Sequence, residues 1–122
     1  MRFSEDLSSG INVIRGYAPG EFKINDVLYR APIIVGSSAI APGPGISSAD
    51  ELAAEHAASI LALEPELVLL GTGARQIFPP AIFGAEFLRR GIGFEVMDSG
   101  AACRTFNVLV TERRRVVALL LP

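Results

Sequence analysis

Cysteine and histidine are nearly missing from this 122-residue chain: Cys103 and His56 each stand alone, and tryptophan is absent. A lone thiol excludes an internal disulfide, and one thiol with one imidazole is too few ligands for a zinc site within one chain. Long apolar runs are also missing, and none approaches the roughly 20 residues that a membrane-spanning helix needs. Charge of one sign is scarce too, with a formal net charge of -2. The one basic cluster, at 113–115, is too short to mark a nucleic-acid surface and reads as a solvated turn. The opening Met1-Arg2-Phe3 runs into acidic and polar residues, with neither an apolar signal core nor an Arg-rich presequence, so the cytoplasm is the expected compartment.

What is present is hydrophobic residues, at 50% of the chain. A chain of this length fits one domain spanning residues 1–122 and buries roughly two thirds of the surface its unfolded form exposes. Residues 1–10 are polar and read as a loosely held start. Residues 11–17, 21–24 and 27–30 then read as short strands, separated by Ala18-Pro19-Gly20 and Asn25-Asp26, which together make a meander. Residues 33–35 are a buried strand, and APGPG at 41–45 reads as a long loop. Ser48 with Glu51 has the form of a capping box, predicting a helix to about Leu63 that stops before Pro65. Leu52, His56, Ile60 and Leu63 lie on one stripe of that helix, which turns His56 inward as a packed residue and leaves no Ser-His-Asp set.

The second half alternates strand and helix. Residues 67–70 are an unalternating apolar run suited to a strand covered on both faces. Pro80 suits the first position of a helix that reaches Arg90, where Gly91 can take the left-handed cap. Residues 94–97 form the next strand, and Asp98 or Ser99 caps a third helix with Ala102, Phe106, Leu109 and Val110 inward. Residues 116–121 are the final buried strand. This βαβαβ order predicts an α/β fold with largely parallel pairing here and right-handed crossovers.

Chemistry is expected where the strands at 67–70 and 94–97 end. If they are parallel neighbours, Gly71, Thr72, Gly73 and Arg75 meet Asp98, Ser99 and the start of the third helix, with Arg104 nearby. Ser37 and Ser38 join them if the strand at 33–35 runs the same way. Free N–H groups and two arginines would suit an anionic ligand. The competing reading is structural, with Asp98 as a cap and the glycines as turns. GTGARQ lacks the third glycine of a dinucleotide fingerprint and the Gly-Lys-Ser/Thr of a P-loop, so no nucleotide or other cofactor is expected. Cys103, near a helix start, is a candidate reactive thiol or a small buried residue.

These residues carry a resemblance over most of the chain. The segments FKIN at 22–25, PELVLLGTGARQIFPP ending at Pro80, and the block from Gly91 onward, especially Met97-Asp98-Ser99 with ACRTFN at 102–107, resemble the Mth938-like family of small α/β domains. That family includes mitochondrial complex I assembly factor 3; without a mitochondrial presequence, this chain resembles the bacterial members. The resemblance implies a single-domain, three-layer fold with a mixed central sheet, no established enzymatic activity and no catalytic residues to carry over. It also implies protein partners in the assembly of a respiratory membrane complex, and a homo-oligomer is compatible with it.

Overall fold

The computed structural model describes residues 10–122. Apart from Gly10, the expected loose start therefore lies outside the described residues. Strands β1 (Ile14–Ala18), β2 (Glu21–Ile24) and β3 (Val27–Arg30) form the antiparallel meander. Ile24 pairs with Val27, so Asn25 and Asp26 alone make the turn. Asn25 holds φ at 55° there, a conformation that asparagine tolerates better than most residues. The first strand begins later than the sequence predicts, because Asn12 and Val13 bond elsewhere. The Asn12 N–H donates to the Ser37 carbonyl at 2.7 Å, and the Val13 N–H donates to Asn25 Oδ1 at 3.0 Å.

The central sheet comprises β4 (Ile33–Gly36), β5 (Ile40–Pro42), β6 (Leu67–Gly71), β7 (Gly93–Met97) and β8 (Val116–Leu120), in the order β5-β4-β8-β6-β7. β6 runs parallel to both β8 and β7, whereas β4 is antiparallel to β8 and to β5, so the sheet is mixed. β8 lies inside the sheet, and all five of its residues are buried. Its side chains alternate between faces: Val116, Ala118 and Leu120 join one core, Val117 and Leu119 the other. No pattern of polar and apolar residues marks such a strand, because both faces are covered.

Two layers cover the sheet. On one face lie helix α2 (Ala81–Leu88) and the segment that contains α1 (Ala58–Leu61), around Phe83, Phe87 and Ile60. Phe94 packs edge-on to Phe83 with ring centres 5.6 Å apart and stacks on Phe87 at 5.5 Å. On the other face, α3 (Ser99–Thr111) and the meander enclose Phe22, Ile24, Leu69 and Phe106. Fully burying such side chains contributes about 1.5–3 kcal/mol each.

Three expectations need correction. The long helix from Ser48 to Leu63 is instead two 3-10 turns, at Ala49–Glu51 and Ala54–Ala57, followed by the single turn of α1. The Ser48 side chain caps nothing, Glu51 accepts from Ser47 Oγ at 3.1 Å, and Leu52 breaks the helix with an extended backbone. APGPG is not wholly a loop, since Ala41 and Pro42 lie in β5, an edge strand where a missing N–H costs little. Pro80 has ψ of 142° and sits just before α2 rather than at its first position. Gly91 does adopt a positive φ, 76°, and Arg90 donates to the Glu86 carbonyl near the helix end.

Candidate functional site

Parallel pairing brings the ends of β6 and β7 to one rim, with Gly71 opposite Met97. The two corners then bond directly. The Thr72 N–H donates to the Met97 carbonyl at 2.9 Å, and the Ser99 N–H donates to the Gly73 carbonyl at 2.8 Å. The Gly73 N–H donates back to Ser99 Oγ at 2.8 Å. Asp98 caps α3, accepting from the Ala101 N–H at 2.8 Å. Thr72, buried, donates its hydroxyl to the Arg75 carbonyl and accepts from the Ile77 N–H at 3.0 Å, closing the loop on itself. Gly73 has φ of 92°, and a Cβ there would lie 2.5 Å from the Pro122 carbonyl oxygen. Only glycine meets both conditions.

Gly71, Thr72, Gly73, Asp98 and Ser99 therefore assemble as one hydrogen-bonded corner. Arg75 follows it as an exposed residue. Ser37 and Ser38 do not join it: β4 runs opposite to β8, placing its end, Gly36, beside Val117 at the start of β8 and at the far side of the sheet. Arg104 lies on the outer side of α3, where it lines a cleft of about 200 Å³ against β1 with Arg15, Tyr17, Cys103 and Asn107. Cys103 is buried, and burial pushes its thiol up to about 11, only partly offset by the nearby Arg104 guanidinium. Near pH 7 such a group is overwhelmingly the thiol, the weak nucleophilic form.

A second hollow, of about 260 Å³, opens beside the corner between the β1–β2 turn and the ends of β6 and β8. Its walls are mostly apolar: Tyr17, Pro19, Phe22, Ala74, Leu121 and Pro122. Ser99 also borders it, but its hydroxyl already accepts from Gly73 and donates to the Leu121 carbonyl at 3.3 Å. Tyr17 borders both hollows. A Cβ on Gly100 would lie 2.2 Å from the Tyr17 hydroxyl oxygen, so the bare first turn of α3 is what lets the ring lie there.

Sequence reasoning missed three asparagines that tie the meander to the sheet and α3. Asn25 Nδ2 donates to Asn12 Oδ1 at 3.0 Å, and Asn12 Nδ2 donates to the Gly36 carbonyl at 2.9 Å. Asn107 clamps Ile14, accepting from its N–H at 2.9 Å and donating to its carbonyl at 2.8 Å. The available signals were Asn25 in a two-residue turn and an amide one position after the buried Phe106. His56, expected on an inward stripe, is half-buried and accepts from the Ala53 N–H at 2.9 Å through Nδ1. At the outer edge of the sheet, Gln76 Nε2 donates to the Val96 carbonyl at 2.9 Å.

The outward side of α2 is apolar. Ile82 is 58% exposed and Leu88 59%, with exposed Ala81 and Ala85 beside them, and Phe78, three residues before the helix, is 69% exposed. Glu86, Arg89 and Arg90 bound this face with ion pairs at 3.0 and 3.2 Å.

Comparison with known proteins agrees with this architecture. A "13 kDa major membrane protein" of Francisella tularensis is 31% identical over 99% of both chains. The "NADH dehydrogenase [ubiquinone] 1 alpha subcomplex assembly factor 3" of Danio rerio is 37% identical over 97% of this chain and 68% of its own. A Mth938-like domain from Bordetella pertussis superposes with a TM-score of 0.81 at 27% identity, covering 93% of this chain and 87% of that one. None of the helices among the described residues is long and apolar enough to cross a membrane. The model of the family described as "Protein of unknown function (DUF498/DUF598)" matches residues 14–121, and the chain belongs to that family, with the Mth938-like fold.

Proposed function

We propose that this protein is a non-enzymatic interaction module, acting from the cytoplasm in the assembly or maturation of a respiratory or other membrane-associated complex. The observation that carries this reading is the bare outer face of α2. A helix apolar on nearly all sides is ordinarily covered on all of them, yet Ile82 and Leu88 on it, and Phe78 just before it in the chain, meet solvent. The charged residues at the end of α2 give that face the polar rim typical of protein interfaces. The occupant is the apolar surface of a protein subunit, in keeping with the assembly-factor name of the Danio rerio relative. The self-bonded Gly73–Ser99 corner favours a role through surface contacts over one through catalysis.

The test is capture of partners by tagged full-length chain from its native cell, beside Ile82→Glu, which alters only an exposed side chain. A defined subunit or assembly intermediate of a membrane complex, retained by the unaltered chain and lost by I82E, is the expected result. No stable partner under mild conditions, or equal capture by both chains, overturns the reading. Sedimentation of the chain with protein-free vesicles, abolished by I82E, would assign the face to lipid instead.

A further inference from the structure

We propose that the two hollows sharing Tyr17 form one binding site for a small amphipathic anion, a carboxylate carried on an apolar chain or ring. This site lies away from the α2 face and does not depend on the docking role.

In the larger hollow, the Ser99 hydroxyl is engaged on both sides, by Gly73 and by the Leu121 carbonyl. The remaining side chains there are apolar but for the Tyr17 hydroxyl, which lies against Gly100. An occupant of that hollow is therefore held by apolar contact, at about 25 cal/mol for each Å² removed from water. A volume of about 260 Å³ suits a single ring or a chain of medium length.

The smaller hollow differs in chemistry. Arg15 and Arg104 both line it, and no carboxylate does among the described residues. Neither arginine forms an ion pair with a described residue. The Asn107 amide is held in place by Ile14, using its oxygen and one of its two N–H groups, so the two guanidinium groups are the charged donors the cleft offers a ligand. Two like charges bordering one cleft are best satisfied by an anion, and guanidinium groups suit the planar geometry of a carboxylate.

Tyr17 joins the halves. It is 52% exposed, walls both hollows, and is seated by the missing side chain at Gly100. A carboxylate at Arg15 and Arg104 thus carries its apolar part past the Tyr17 ring toward Phe22 and Leu121.

The experiment is a titration of the full chain with decanoate below its micelle concentration, followed by amide NMR shifts and tyrosine fluorescence. The chain has two tyrosines and no tryptophan to obscure them. Shifts are expected at residues 15–17, 73–74, 100–104 and 121. The double variant Arg15→Gln with Arg104→Gln should weaken decanoate by about tenfold or more, the equivalent of losing one charge-assisted hydrogen bond. The same variant should leave decanol binding unchanged, because decanol lacks the charge. Gly100→Ala should weaken decanoate and decanol alike by displacing Tyr17. Inorganic phosphate alone should bind far more weakly than decanoate. Both arginines are exposed, and a thermal melt of the variant checks that it is folded. The proposal is overturned if decanoate produces no shifts, if they map elsewhere, or if the folded double variant binds decanoate as the parent does. Binding to phosphatidylglycerol vesicles with no response to free decanoate would also overturn it.

Discussion

Ser99 and Gly73 each donate a backbone N–H to the other residue, one to a carbonyl and one to a hydroxyl, both at 2.8 Å. This pair fastens the end of β6 to the start of α3. Ser99→Ala leaves the Gly73 N–H without its acceptor in a part-buried setting, and should destabilise the protein by about 1–3 kcal/mol. Gly73→Ala should cost at least as much, since it meets the Pro122 carbonyl oxygen and keeps an unfavourable φ. Arg75→Ala, one turn further on and exposed, should stay within about 0.5 kcal/mol. Urea unfolding of the three variants checks this order.

Asn107 replaces a neighbouring strand for Ile14, satisfying both of its backbone groups. Asn107→Ala removes both bonds, and Asn107→Asp keeps the acceptor but loses the donor. The expected loss is about 2 kcal/mol or more for alanine and less for aspartate, read by denaturant midpoint. Amide exchange at Ile14 should accelerate in the alanine variant before exchange in β8 does, because the meander is held to α3 partly by this clamp.

Cys103 should resist a thiol reagent in the native chain at neutral pH and react promptly in denaturant. Its folded-state pKa, raised to about 11 by burial, also sets a sign for stability at high pH. Above the ordinary thiol range, near pH 8.5, the unfolded chain releases this proton while the folded chain keeps it. Stability therefore falls as the pH rises from that range toward 11. Cys103→Ala should flatten this part of the curve, as measured by urea midpoints at several alkaline pH values.

Glu66 gives the opposite dependence. The Arg115 backbone N–H and then the Arg114 side chain, which bond it at 3.0 and 2.9 Å, hold its carboxyl below the usual range. A depressed pKa contributes stability above the unfolded value of about 4.3, and that contribution is lost as the pH falls through the folded value. Glu66→Gln should lower the melting temperature at neutral and alkaline pH, where the contribution is fully present, and lessen its acid sensitivity, so that the two chains converge as the pH falls below the folded value.

Much of this architecture is legible in the residues. Both meander turns, the run into Gly71 and the Asp98 cap follow from local rules, and the structure places β2 and β3 at the predicted bounds. The failures have a common cause. The stretch 48–63 has helical spacing, but Leu52 is buried through an extended backbone, so tertiary packing overrides a local signal. The direction of β4 depends on β8, more than eighty residues away, and no spacing rule reports it. The candidate site was legible only in part. Strand alternation placed the two corners together, while the meeting of Arg15 with Arg104 across β1 and α3 depends on how the meander folds over the helix.

The amide of Gln76 bears on how copies of the chain behave in a crowded solution. β7 is the outermost ribbon on its side, and alternation along it turns the Val96 carbonyl away from β6. By occupying that oxygen, Gln76 withholds a bond that an incoming ribbon from another molecule would use to begin zipping onto the sheet. A single neutral side chain thereby closes one of the open positions on that edge.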